Sequence, residues 1–174
     1  MSDNHNADHQ QHHNGGGNYW RFMAMVATST AIMFGLMYLN TWSLDHVFFS
    51  QTRMWMALYM GGAMALIMLA FMLGMYRSPR ANLIVAGVSI LAFALGLFLV
   101  RSQATVDDTA WMKAMIPHHS IAILTSTRAD ISDPRVRALA DSIIEAQTLE
   151  IAEMKALIAD LEGGPAATPE VDGR

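Results

Sequence analysis

The sequence predicts an all-α protein: three transmembrane helices followed by an antiparallel two-helix hairpin that makes half of a four-helix bundle. Three observations predict it. The chain of 174 residues is 53% hydrophobic and only 15% charged, too apolar for an ordinary soluble domain of this length. The excess is concentrated in Phe22 to Leu39, Met54 to Tyr76 and Leu83 to Val100, which contain no Asp, Glu, Lys or Arg. Each is near the roughly 20 residues that cross a hydrocarbon core of about 30 Å. From about Asp107 onward the pattern changes to apolar positions at steps of three and four, the period of amphipathic helices.

Taken in order, residues 1–20 form a polar tail rich in His, Asn and Gln that cannot bury a core and is expected to be disordered. His5, His9, His12 and His13 read either as a loose metal-collecting tail or as a solvated leader. The first apolar segment lacks a small-residue cleavage pattern followed by a soluble domain, so it is expected to stay as a helix. Residues 21–101 then make a three-helix membrane domain. Tyr19, Trp20, Tyr38, Trp42, Trp55, Tyr59 and Tyr76 fall where such helices meet headgroups. The loop Arg77-Ser78-Pro79-Arg80 carries two positive charges, whereas Asn40 to Arg53 carries one Arg and one Asp. That bias places the N-terminus in the cytoplasm and the C-terminal domain in the periplasm of a bacterial inner membrane. Gly61 with Ala65, and Ala92 with Gly96, offer small faces for close helix contact. The second segment holds Met54, Met56, Met60, Met64, Met68, Met72 and Met75; without an intramembrane His, Asp or Glu, this band reads as flexible packing rather than an ion path.

Residues 102–164 are the hairpin. Its first helix spans about Asp107 to Arg128, with Pro117 expected to bend it just before two histidines. Its second follows Asp133-Pro134, a natural cap and first helical position, and stops at Gly163-Gly164-Pro165. The expected seam is Leu139, Ile143, Gln147, Glu150, Met154, Leu157 and Leu161. About 60 residues in two helices bury little alone, so self-association into a four-helix bundle is expected. Residues 165–174 are expected to be a disordered tail.

The chemistry is concentrated in Trp111-Met112-Lys113-Ala114-Met115-Ile116-Pro117-His118-His119. At helical spacing Met112, Met115 and His119 share a face, and Met115 and His118 lie one turn apart. Soft thioethers with imidazole favour copper, specifically Cu(I), which accepts two to four neutral ligands; zinc would prefer His, Cys or carboxylate. Pairing positions equally distant from the turn sets Met154 opposite Asp107 and Asp108, at the outer end of the cluster. Met at seam positions is ordinarily core filling, and for Met154 alone that reading wins. Two adjacent histidines are harder to explain by packing. They point about 100° apart, so one ligates while the other bridges to Glu150 or to a second hairpin.

The segment from about Asp107 to Leu161 resembles the domain of unknown function family 305, a ferritin-like helical family with copper-binding members. The resemblance runs through Met115-Ile116-Pro117-His118-His119, Ala122-Ile123, Ala140, Ile143-Ile144, Gln147, Glu150-Ile151 and Met154. Upstream, Tyr38-Leu39-Asn40-Thr41, Asp45-His46 and Thr52-Arg53 look like the membrane-anchored bacterial subgroup. The resemblance implies Met115, His118, His119 and Met154 as metal ligands, to which the helical-face argument adds Met112. Many members carry Met seven residues after the first His of the pair, where this sequence has Thr125, which implies fewer or weaker copper sites.

The absence of cysteine excludes a thiolate site, and a net charge of −4 without a basic stripe argues against nucleic acid. The expected function is a membrane-anchored, non-enzymatic copper-binding protein of the bacterial envelope, serving tolerance, storage or hand-over. Its expected partners are the copper ion, the lipid bilayer, a second copy and another copper-handling envelope protein. Two alternatives come from other classes: a metal-free assembly or pH-responsive interaction subunit, and a ferritin-like di-metal oxidase. The second lacks the paired Glu-x-x-His motif that di-iron bundles use.

Overall fold

A computed structural model of the chain describes residues 15–76 and 78–164. Among the described residues the structure is helical without strands: α1 (Gly15–Leu36), a 3-10 turn (Leu44–His46), α2 (Gln51–Met72), α3 (Pro79–Ser102), α4 (Asp108–Arg128) and α5 (Pro134–Leu161). The tail histidines His5, His9, His12 and His13, and the expected disordered end at 165–174, lie outside the described residues. Residues 15–20, assigned to the disordered tail by composition, are already helical.

Four helices start on side-chain caps. Ser50 and Ser78 hydroxyls accept from the backbone N–H of Arg53 and Ala81, and Asp107 and Asp133 carboxylates accept from Ala110 and Arg135. Each satisfies one of the orphan donors at a helix N-terminus. Pro79 and Pro134 add a preset φ at the first helical position. α4 runs unbroken through Pro117, whose ring is fully buried.

Among the described residues, two helices, α2 and α3, are long and apolar enough to cross a membrane. α2 is central, with α3 along one side and α1 along another. Adjacent glycines make this possible. A Cβ on Gly61 would come within 2.6 Å of the Thr30 hydroxyl on α1, and one on Gly62 within 2.7 Å of the Ser89 carbonyl on α3. α3 returns the favour at Gly96, where a Cβ would lie 2.8 Å from the Tyr59 nitrogen. Phe22, Val26, Ala65, Leu69, Tyr76 and Val85 form the apolar core of this region. Arg53, buried at the start of α2, donates from Nη1 to the Met37 carbonyl at 2.7 Å and lies 4.6 Å from the Tyr38 ring centre. It thereby gives a partner to a carbonyl at the C-terminal end of α1.

α4 and α5 pack lengthwise through a separate core of Met112, Ile116, Ile123, Ile151, Met154 and Ile158. The buried stripe of α5 is Ala140, Ile151, Met154 and Ile158, so the expected seam is corrected by one position along most of its length. Leu139, Leu157 and Leu161 are about half exposed. α5 is apolar over a wide arc, and periodicity alone picked its neighbouring edge. The register is corrected as well: His119 lies beside Glu150, and one turn further along each helix brings Met154 level with Met115, not with Asp107.

A Cβ at Gly62 meets backbone, which cannot move aside as a side-chain tip can. Gly62→Ala is therefore expected to destabilise the α2/α3 packing by about 1–3 kcal/mol. Gly87→Ala, with open space around it, is expected to be neutral or slightly stabilising. Thermal unfolding in detergent compares the two, and equal midpoints would contradict the close approach.

Candidate metal centre

The candidate ligands occupy three different environments. Met112 and Met154 are both buried in the α4/α5 core, one from each helix, and Met115 packs on its margin. His119, on the same side of α4 as Met112, is partly buried and faces α5. Its Nδ1 lies 3.3 Å from Glu150 Oε2 but outside hydrogen-bond geometry, which leaves a buried nitrogen without a hydrogen bond. His118 is turned out to solvent, with ring centres 6.0 Å apart across the pair. The structure thus places Met112 and Met154 in the seam core with Met115 at its margin, sets His119 at the edge facing Glu150 of α5 and leaves His118 in solvent.

Burial pushes the His119 pKa below 6.5, against the pull of the Glu150 carboxylate; His118 adds to the lowering. That shift favours the neutral imidazole, the form in which nitrogen can bind a metal. An unsatisfied buried polar atom costs about 1–3 kcal/mol; a soft cation beside it would remove that cost. Glu150 is further held by Gln147, whose amide donates to Oε2 at 3.2 Å. These two polar residues therefore lie beside the buried stripe of α5 and not on it. Among the described residues, no group of three or more His, Cys, Asp or Glu could hold a metal ion.

Sequence reasoning missed the polar clasp behind the seam. Ser120, fully buried, accepts from the Trp42 backbone N–H at 2.7 Å and contacts His46 Nδ1 at 2.9 Å. Asp45, beside His46, is paired with Lys155 of α5 and accepts from Ser43. These two bonds, the Lys155 bond first, bring the Asp45 pKa down to about 2. Burial, and then Lys155, push the His46 pKa below 6.5 against the opposing pull of Asp45. The loop and the two helices enclose a cavity of about 450 Å³, walled by Trp42, His46, Ile123, Ile144, Ile151 and Lys155. Asp45-His46 was visible as a polar pair in an outer loop; its partner Ser120, a small residue after two histidines, carried no signal.

Fold and seam define a class: an all-helical protein in which a two-helix unit carrying a Met/His seam follows helices of membrane type. Residues 99–168 match the family described as "Domain of unknown function (DUF305)". The chain is also 31% identical over 124 residues to an uncharacterised protein of Acanthamoeba polyphaga mimivirus, covering 69% of this chain and 80% of that one. The chain belongs to the domain of unknown function family 305. No solved structure matches it.

The clasp holds His46 as a poorer base than a free imidazole. Its stabilisation is therefore complete above about pH 6.5 and is progressively lost as the pH falls below that value toward the lowered pKa of the clasped ring. Nitrogen NMR of the imidazoles in the full chain is expected to show His46 titrating below the ordinary imidazole value of 6.5. Trp42 fluorescence should report loop opening over the same range in the wild type but not in His46→Asn. Titration of His46 at or above the free value would contradict the clasp.

Proposed function

We propose that this protein is a membrane-anchored copper-binding protein of the bacterial envelope. On this reading α1, α2 and α3 span the inner membrane with the N-terminus in the cytoplasm, and α4 and α5 stand in the periplasm. They capture Cu(I) for tolerance, storage or hand-over to another copper-handling protein, without catalysis. The observations that carry the reading are two buried thioethers, Met112 and Met154, one from each helix, and on the same face of α4 as Met112 an imidazole, His119, whose buried Nδ1 lacks a hydrogen bond. Met115 supplies a third sulfur at the margin. Thioethers do not titrate, so such a site retains part of its affinity in acid.

Self-association belongs to the same reading. Helical spacing puts Trp111, Met115 and His118 of α4 and Leu139, Leu157 and Leu161 of α5 on the side of the pair away from the clasp. Trp111 and the three leucines are each about half exposed. A second copy packed on that face would complete a ferritin-like four-helix bundle, and would bring His118 from solvent to an interface.

Packing and ligation are separable by a substitution that keeps volume. In the full chain, Met112→Leu with Met154→Leu is expected to cost less than about 1.5 kcal/mol per site in stability. Cu(I) affinity, measured by competition with a chromophoric chelator, is expected to fall at least about tenfold, or 1.4 kcal/mol. His118→Ala with His119→Ala should weaken binding as well. If the wild type and both variants bind Cu(I) equally weakly, the cluster is packing alone. Substantial iron with oxygen consumption in the purified protein would instead favour a di-metal oxidase. Leu157→Glu is expected to shift the sedimenting species toward the monomer; an unchanged distribution removes this face as the contact.

A further inference from the structure

The Trp42–His46 loop grips one residue on each of the two seam helices, and both are chain neighbours of candidate ligands. On α4 it holds Ser120, next to His119, through the Trp42 N–H and the His46 ring. On α5 it holds Lys155, next to Met154, through Asp45. From the same loop region Phe48 packs against the core that contains Met112 and Met154. We infer that this loop is the positioning clamp of the metal centre: by holding Ser120 and Lys155 together it sets the rotation and relative height of His119 and Met154. The inference rests on the copper reading above.

Helix geometry gives the clamp its leverage. Successive residues are turned by 100° and raised by 1.5 Å, so fixing Ser120 on the loop side fixes the direction in which His119 leaves α4. Lys155 does the same for Met154. The Ser120 oxygen is the stronger end of the grip, since it bonds two groups of the loop from a fully buried position, while Lys155 and Asp45 are partly exposed and screened. The loop leads directly into α2, so the membrane helices hold the seam through it.

The test uses the full chain in detergent, with Cu(I) alone as the probe. Deuterium exchange of residues 41–48 in the metal-free protein reads the clamp, Cu(I) competition reads affinity, and X-ray absorption reads the number of sulfur neighbours of bound copper. Ser120→Ala is expected to speed exchange of the loop at least about tenfold, while affinity drops about tenfold, as for other groups that orient metal ligands. The sulfur count should fall with it. His46→Asn, which keeps a polar group where Nδ1 stands, is expected to retain most of the affinity that His46→Ala loses. Lys155→Met severs only the α5 end and serves if Ser120→Ala fails to fold; it should reduce affinity by a smaller factor. An open loop in Ser120→Ala with unchanged affinity and sulfur count overturns the positioning role. A closed loop in that variant overturns the clamp, and a wild type that does not bind Cu(I) overturns the copper reading itself.

Discussion

On the proposed copper reading, the α4/α5 seam is a hydrophobic core and a ligand source with the same atoms, and the rest of the arrangement depends on that double use. A buried Met side chain contributes about 1.5–3 kcal/mol whether or not a metal is near, and its sulfur needs no hydrogen bond. Met112 and Met154 can therefore hold the two helices together in the metal-free chain at no polar cost. Imidazole cannot. The cost falls on His119, the one candidate ligand whose buried nitrogen lacks a hydrogen bond, and it is this asymmetry that separates the seam from an ordinary core of isoleucine and methionine.

Much of this was legible in the sequence because it follows from periodicity and capping. The all-helical class, the helix from Asp107 to Arg128 and the start of α5 at Pro134 all come from such local signals. What the chain did not reveal depends on which arc of a broadly apolar helix meets its partner. α5 carries Leu139, Leu157 and Leu161 beside Ala140, Ile151 and Ile158, and only the tertiary contact with Ile116 and Ile123 decides between the two stripes. The register failed for a related reason. The connection at residues 129–133 lets the first turns of α5 run past the end of α4, so equal distance from the turn misplaces Met154. The Ser120 clasp was invisible because it joins residues 74 and 78 positions apart.

In the apolar region the decisive residues are the smallest. Gly61 and Gly62 differ by 100° of rotation, which lets α2 take the Thr30 side chain of α1 against its backbone on one flank and the backbone of α3 on the next. For helices in lipid, as proposed here, there is little hydrophobic gain from bringing them together, so close van der Waals contact would have to supply the association. The methionines of α2 read as the flexible filling around these rigid contacts: Met64, Met68 and Met72 pack against the core of Phe22 and Leu69.

The two sides of the α4/α5 pair are unequal, and the loop makes them so. On one side Trp42, His46 and Phe48 cover the groove, with Ser120 and Lys155 as their anchors. On the other, Trp111 and three leucines stay exposed. A helical pair apolar on both sides could add copies without end, since each new copy would present another open face. Covering one side leaves Trp111 and the leucines as the open side of the pair, and a patch that pairs with itself closes at two. The clasp that orients His119 and Met154 in the proposed copper centre would then also limit the size of the assembly around it, because both follow from the same loop lying in the same groove.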